Sequence, residues 1–167
     1  MLSSSFLLLP FGLQMFCMAF DELYFHRRRG LPRWERIGHP LDTLTVVICL
    51  LWLLSVPPGS GAVAIYAGLA IFSCLFVTKD EWVHLKHCPA AEQWVHALLF
   101  ALHPLVLLST GLLWPAAHGI GSAWPGWIRY TGEERSILTA LCAVVLGFGI
   151  FQFIYWNLLW RAPEAAK

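Results

Sequence analysis

Charge is what this sequence has least of. Only 13% of its 167 residues are Asp, Glu, Lys or Arg, about half the share of an ordinary soluble domain. Eleven basic and ten acidic residues leave a formal net charge of +1, and a chain so nearly neutral offers no basic stripe for nucleic acid. Cysteine is present at 17, 49, 74, 88 and 142, but no CxxC pair occurs and four of the five lie inside apolar runs. A disulfide framework is therefore not expected. Flavin, nucleotide and iron–sulfur motifs are all missing, as are internal repeats and low-complexity tracts, so residues 1–167 read as one domain. The opening residues 1–20 lack a positive leading region and an A-x-A-like cleavage site. They read as a retained membrane helix and not as a signal peptide.

What the chain has in quantity is apolar surface: 58% hydrophobic residues and nine tryptophans. Five apolar runs stand out, at 6–20, 41–56, 61–77, 95–114 and 137–160. A spanning helix needs about 20 mostly apolar residues, and shorter runs are accommodated by snorkelling or local thinning. Backbone polar groups must be satisfied internally in lipid, so helices are the expected spanning form. The expected fold is an all-α integral membrane bundle of five transmembrane helices, with "PPGSG" closing a hairpin between the second and third. With the loop 27–40 on the cytoplasmic side, that side collects Arg27, Arg28, Arg29, Arg33, Arg36, Lys79, Lys86, Arg161 and Lys167. Only Arg129 and Arg135 remain opposite. Nine against two sets the N-terminus outside and the C-terminus cytoplasmic. Tryptophans and a tyrosine in the outer loop 115–135 suit the headgroup belt, and residues 161–167 read as a loose tail.

Placed by lysine and arginine alone, this topology brings six of seven histidines to the cytoplasmic half. Asp21, Glu22, Glu35, Asp42, Asp80, Glu81 and Glu92 join them. Residues three, four and seven apart share a helix face. Glu22 and His26 are four apart in the first helix, and Glu92, His96 and His103 share a face of the fourth. In the third, Glu81 and His84 make an E-x-x-H pair, while Asp80, His84 and His87 form a stripe. His39 and Asp42 stand at the mouth of the second. Taken singly, such residues cap helices or solvate their ends where water begins. Four helix ends that each offer imidazole and carboxylate to one place suit a metal centre of iron, manganese or zinc. The candidate ligands are Glu22, His26, His39, Asp42, Asp80, Glu81, His84, His87, Glu92, His96 and His103. They exceed what a single ion needs. His103 lies about 10 Å deeper than His96, either as a further ligand or as a pocket residue beside Pro104. Cys88, followed by proline, reads as a bystander at a turn.

In ligand type the set resembles the ferritin-like di-iron proteins, which place glutamates and E-x-x-H pairs on facing helices. Here Glu81 and His84 make an E-x-x-H pair, and Glu22 with His26 and Glu92 with His96 make E-x-x-x-H pairs. It is also similar to the histidine-rich membrane hydroxylases and desaturases, although their adjacent-histidine motif is absent, His87 being followed by Cys88. The resemblance implies two iron ions, oxygen chemistry and a lipid-like substrate reached from the bilayer. Electrons would come from a soluble donor, for which the basic segment 27–36 offers a docking face beside its alternative role on anionic lipid. A zinc-dependent hydrolase of a lipid amide or ester is the alternative, with a zinc-bound water as nucleophile. A haem-binding electron carrier is a third reading, weakened by the many carboxylates. A metal transporter is a fourth, disfavoured by the apolar outer half.

Overall fold

In the computed structural model, residues 2–120 and 126–161 are described. Lys167, the rest of the tail from 162 and residues 121–125 of the loop after the fourth helix lie outside them. Five helices are long and apolar enough to cross a membrane: α1 (Ser4–Arg29), α2 (Arg33–Ser55), α3 (Ser60–His87), α4 (Ala90–Ala117) and α5 (Glu134–Leu159). Connections of two to four residues make the first four helices run up and down, and a longer one, 118–133, leads to α5. Apart from them, a two-residue strand β1 (Leu2–Ser3) pairs in parallel with β2 (Ile128–Arg129).

The bundle is centred on α2 and α4, which bury more of themselves than the other helices. Its apolar core gathers Val47, Cys49, Leu50 and Leu53 of α2, Leu107, Leu113 and Trp114 of α4, and Leu138 of α5. This packing lies toward the end that carries the loops after α2 and α4. Large apolar side chains such as Phe16, Ile71, Leu75, Leu108 and Leu158 point away from the protein. So much outward apolar surface matches a lipid environment and would be a liability in water.

Every helix outruns the apolar stretch that announces it, because backbone hydrogen bonding continues after hydropathy falls. The second helix starts at Arg33, eight residues before the apolar run at 41, and carries Pro40 within it. A proline has no N–H to give, so the carbonyl of Arg36 loses its helical donor. The Asn157 side-chain amide donates to it at 3.0 Å. The third helix continues through a 3₁₀ turn, Val77–Asp80, and ends only at His87. The first passes through a π-helical stretch, Asp21–His26, and stops at Gly30, whose φ of 71° is the left-handed conformation glycine tolerates best. A Cβ there would stand 2.7 Å from the Trp160 ring, so packing as well as φ demands glycine.

Neighbouring helices pack unevenly. The fifth lies along α2 and touches α4, and the first lies along α4, while α1 and α5 meet through side chains, Gln152 and Trp156 reaching Glu22. Met15 and Met18 of α1 and Val145 and Phe148 of α5 line the cavity behind this seam.

Candidate metal centre

The π stretch determines which residues of α1 face inward. Five residues apart on an α-helix, Asp21 and His26 would point in different directions. With i→i+5 bonding they share a face, and π segments of this kind recur at functional sites. Asp21 Oδ2 lies 3.0 Å from His26 Nε2 and 3.1 Å from His96 Nε2. Its neighbour Glu22 also turns inward. One Glu22 oxygen accepts from the indole N–H of Trp156, the other from Gln152 Nε2 at 3.4 Å. His26 Nδ1 donates to that second oxygen at 3.3 Å. Held this way, His26 presents Nε2 toward Asp21, His96 and Glu92.

The fourth helix begins at Ala90 after Pro89, which puts Glu92 in its first turn, a favourable place for a carboxylate. One turn later comes His96. Glu92 Oε1 stands 3.6 Å from His26 Nε2 and 4.0 Å from His96 Nε2. His84, from the end of α3, brings Nδ1 to within 3.1 Å of His96 Nδ1. From α2, His39 stacks obliquely on His26 with ring centroids 5.0 Å apart. Four helices therefore converge on one end of the bundle.

Three overlapping sets have donor atoms mutually within 4.8 Å: Asp21, His26, Glu92 and His96; His26, Glu35 and His39; and His84, Cys88 and His96. Two observations indicate that these sets are fitted for cations. First, His26 Nε2, His84 Nε2, Asp21 Oδ1 and Glu35 Oε1 are buried without hydrogen-bond partners, His26 Nε2 being close to Asp21 but out of line for a bond. Orphaned buried polar atoms are costly and call for an explanation such as an ion. Second, Asp21, Glu22, Glu35 and Glu92 are all at most 4% exposed. Arg29 meets two of them, Glu35 at 2.6 Å and Glu92 at 2.9 and 3.2 Å, while Asp21 and Glu22 face His26. Carboxylates buried this closely need compensating positive charge, which beyond Arg29 must come from protonated imidazole or from a bound cation.

The remaining expected ligands stand outside the three donor sets or have other partners, although Asp42 and Asp80 border the same cavity. Asp42 and Asp80 clamp Lys79, whose Nζ lies 2.7 Å from Asp42 and 2.8 Å from Asp80. Gly38 packs so tightly on this clamp that a Cβ would meet Asp80 at 2.9 Å. Glu81 is half exposed and approaches His84 only to 3.8 Å, and His87 is exposed at the end of α3. His103 is buried apart from the cluster. It bonds to Ser73 Oγ at 2.9 Å. Glu22 belongs to none of the three donor sets; its oxygens are engaged by His26, Trp156 and Gln152. Cys88 does join one, but burial pushes its thiol up to about 12, which keeps the sulfur protonated in the absence of a metal.

Behind the cluster opens a cavity of about 180 Å³. Its polar end carries Asp21, Glu22, His26, His39, His84 and His96. Asp42, Thr43, Asp80 and Gln152 also border it, and beyond them the walls are mostly apolar, from Phe11, Met15, Leu99 and Phe148 among others, with His103 and Gln14 as further polar points. No family model, curated protein or solved structure matches the chain.

Proposed function

We propose that the protein is an integral membrane oxidoreductase with two iron ions in the His/carboxylate cluster, acting on a lipid-like substrate in the adjoining cavity. The observation that carries this reading is the placement of Asp21. One of its oxygens stands about 3 Å from the ring nitrogens of both His26 and His96, and the other is buried without a partner. A carboxylate in that position is suited to bridge two adjacent ions. His26, His96 and Glu92 surround it on one side, and His39 and His84 border the same cavity. Nitrogen and carboxylate donors in this ratio favour iron over softer metals.

The surrounding residues would do what outer residues do at metal centres. Glu22 fixes the tautomer and direction of His26, the carboxylate–histidine arrangement that raises ligand basicity. Trp156 and Gln152 in turn fix Glu22. Arg29 holds Glu92 and Glu35 in place and balances part of their charge. The ions would supply oxygen activation next to an unactivated C–H bond. Hydroxylation of such a bond consumes one O₂, two electrons and two protons and yields an alcohol and a water. The electrons would come from a soluble carrier docking where Arg27, Arg28 and Arg33 are exposed beside the cluster. The substrate would reach the cavity sideways from the bilayer through the α1–α5 seam. The excess of basic residues at the cluster's end argues for its lying on the cytoplasmic side, with the N-terminus outside.

A zinc-dependent hydrolase is the second reading, favoured by one donor set, His84, Cys88 and His96, of a type zinc accepts. Metal analysis of protein purified in detergent separates the two. Close to two irons per chain and oxygen-dependent turnover support the oxidoreductase. One zinc per chain with no oxygen dependence would replace it with the hydrolase.

A further inference from the structure

His103 belongs to a chain of side chains whose protons can be assigned one by one. Thr45 Oγ1 lies 2.7 Å from the backbone carbonyl of Asp42, which can only accept. With the threonine proton on that carbonyl, the direction of the next two bonds follows. Ser73 Oγ lies 2.6 Å from Thr45 Oγ1, and since Thr45 has spent its proton, Ser73 must donate. Ser73 Oγ then faces His103 Nε2 at 2.9 Å with no proton of its own left, so the imidazole Nε2–H is the donor. Among the described residues no carboxylate pairs with His103, and a lone charge at this depth is costly. The ring is neutral, and a neutral imidazole protonated at Nε2 has a bare lone pair at Nδ1.

His103 is 5% exposed and lines the cavity, and among the described residues no group donates to its Nδ1. From the proton chain Thr45–Ser73–His103 we infer that the cavity selects a substrate carrying a hydrogen-bond donor, a hydroxyl on an otherwise hydrocarbon chain, which docks on His103 Nδ1. His103 is thus a positioning and specificity residue, seven residues and about 10 Å along α4 from His96. A hydroxyl anchored there would lay the hydrocarbon between it and the metal cluster. The substrate class is an amphiphilic alcohol that enters hydroxyl first. This inference names the substrate of the site proposed above and rests on that reading for its catalytic meaning, while the hydrogen-bond preference itself requires no metal.

The test is binding of two probes to the full-length protein in detergent, with metal content measured on the same preparation. The probes are dodecan-1-ol and a methyl ether of the same chain length, which accepts hydrogen bonds but cannot donate. The alcohol is expected to bind about tenfold more tightly, the worth of one buried hydrogen bond. Thr45→Val frees the Ser73 proton to turn toward Nε2, which moves the ring proton to Nδ1, so the preference should collapse to within about twofold. His103→Leu should abolish it as well. A merely structural Thr45 would leave the ratio unchanged. Equal binding of alcohol and ether by the native protein overturns the inference, as does an undiminished preference in folded Thr45→Val. Discrimination without bound iron would sink the oxidoreductase and keep the alcohol site; iron without discrimination would do the reverse.

Discussion

Replacing Glu22 by glutamine separates a carboxylate that orients a ligand from one that is a ligand. In the structure, three donors converge on its two oxygens: the indole of Trp156, the amide of Gln152 and Nδ1–H of His26. Glutamine keeps one oxygen and substitutes an NH₂ group, which must confront at least one of these donors. His26 then loses the charged partner that fixes its tautomer. Removing such a partner from a metal-binding histidine lowers metal affinity about 10- to 100-fold, or about 1.4 to 2.7 kcal/mol. The assay is iron titration against a competing chelator in detergent, followed by metal analysis at saturation. The expected result is weaker binding by that factor with two ions still bound when iron is in excess. Unchanged affinity would refute the orienting role. Loss of an ion even in excess iron would show that Glu22 is itself a ligand.

Asp21→Asn should remove binding of both ions at ordinary iron concentrations while leaving the helical circular dichroism intact, because it neutralises the shared carboxylate without changing its size. Retention of two ions would dismiss the bridging role. Lys79→Met leaves Asp42 and the buried Asp80 without their cation and should destabilise the protein by about 3 kcal/mol, the scale for breaking a buried ion pair. Unfolding by denaturant in detergent micelles measures it, and Asp42→Asn in the same chain should recover part of the loss. Cys88, with its thiol pushed up to about 12 by burial, should resist maleimide at pH 8 in the folded protein and react once the chain is unfolded. Cys88→Ser should also retain iron. Rapid alkylation in the native state would refute the buried, protonated thiol, and iron loss in the serine variant would place the sulfur on a metal.

The five helices long and apolar enough to span a membrane were legible because hydropathy alone reports them, and the gathering of histidines and acids at one end of the bundle followed from their positions beside the apolar runs. Asp21 was not legible as a site residue. In "DELYFH", an α-helical period turns Glu22 toward His26 and Asp21 away, and nothing in the letters announces the π turn that brings both inward. Glu35 did leave a signal. It precedes His39 by four residues, the spacing of Glu22 to His26 and of Glu92 to His96, but it was read as part of a basic loop. Helix α2 starting at Arg33 puts that pair on one face, and the glycine turn at 30 lets Arg29 reach back to Glu35 and Glu92. Conversely, the stripe through Asp80, His84 and His87 assumed one continuous helix running on past its last turn. The 3₁₀ turn at Val77–Asp80 and the end of α3 leave His84 inside, His87 outside and Asp80 bonded to Lys79.

Quantifying iron and zinc in the detergent-purified protein, together with its visible spectrum, bears most directly on the claim that His26, His96 and Asp21 enclose a cation pair. Close to two irons per chain, falling below one in His96→Leu, is the predicted result. A preparation grown with ample iron that carries no metal, or a Soret band in its place, would contradict it.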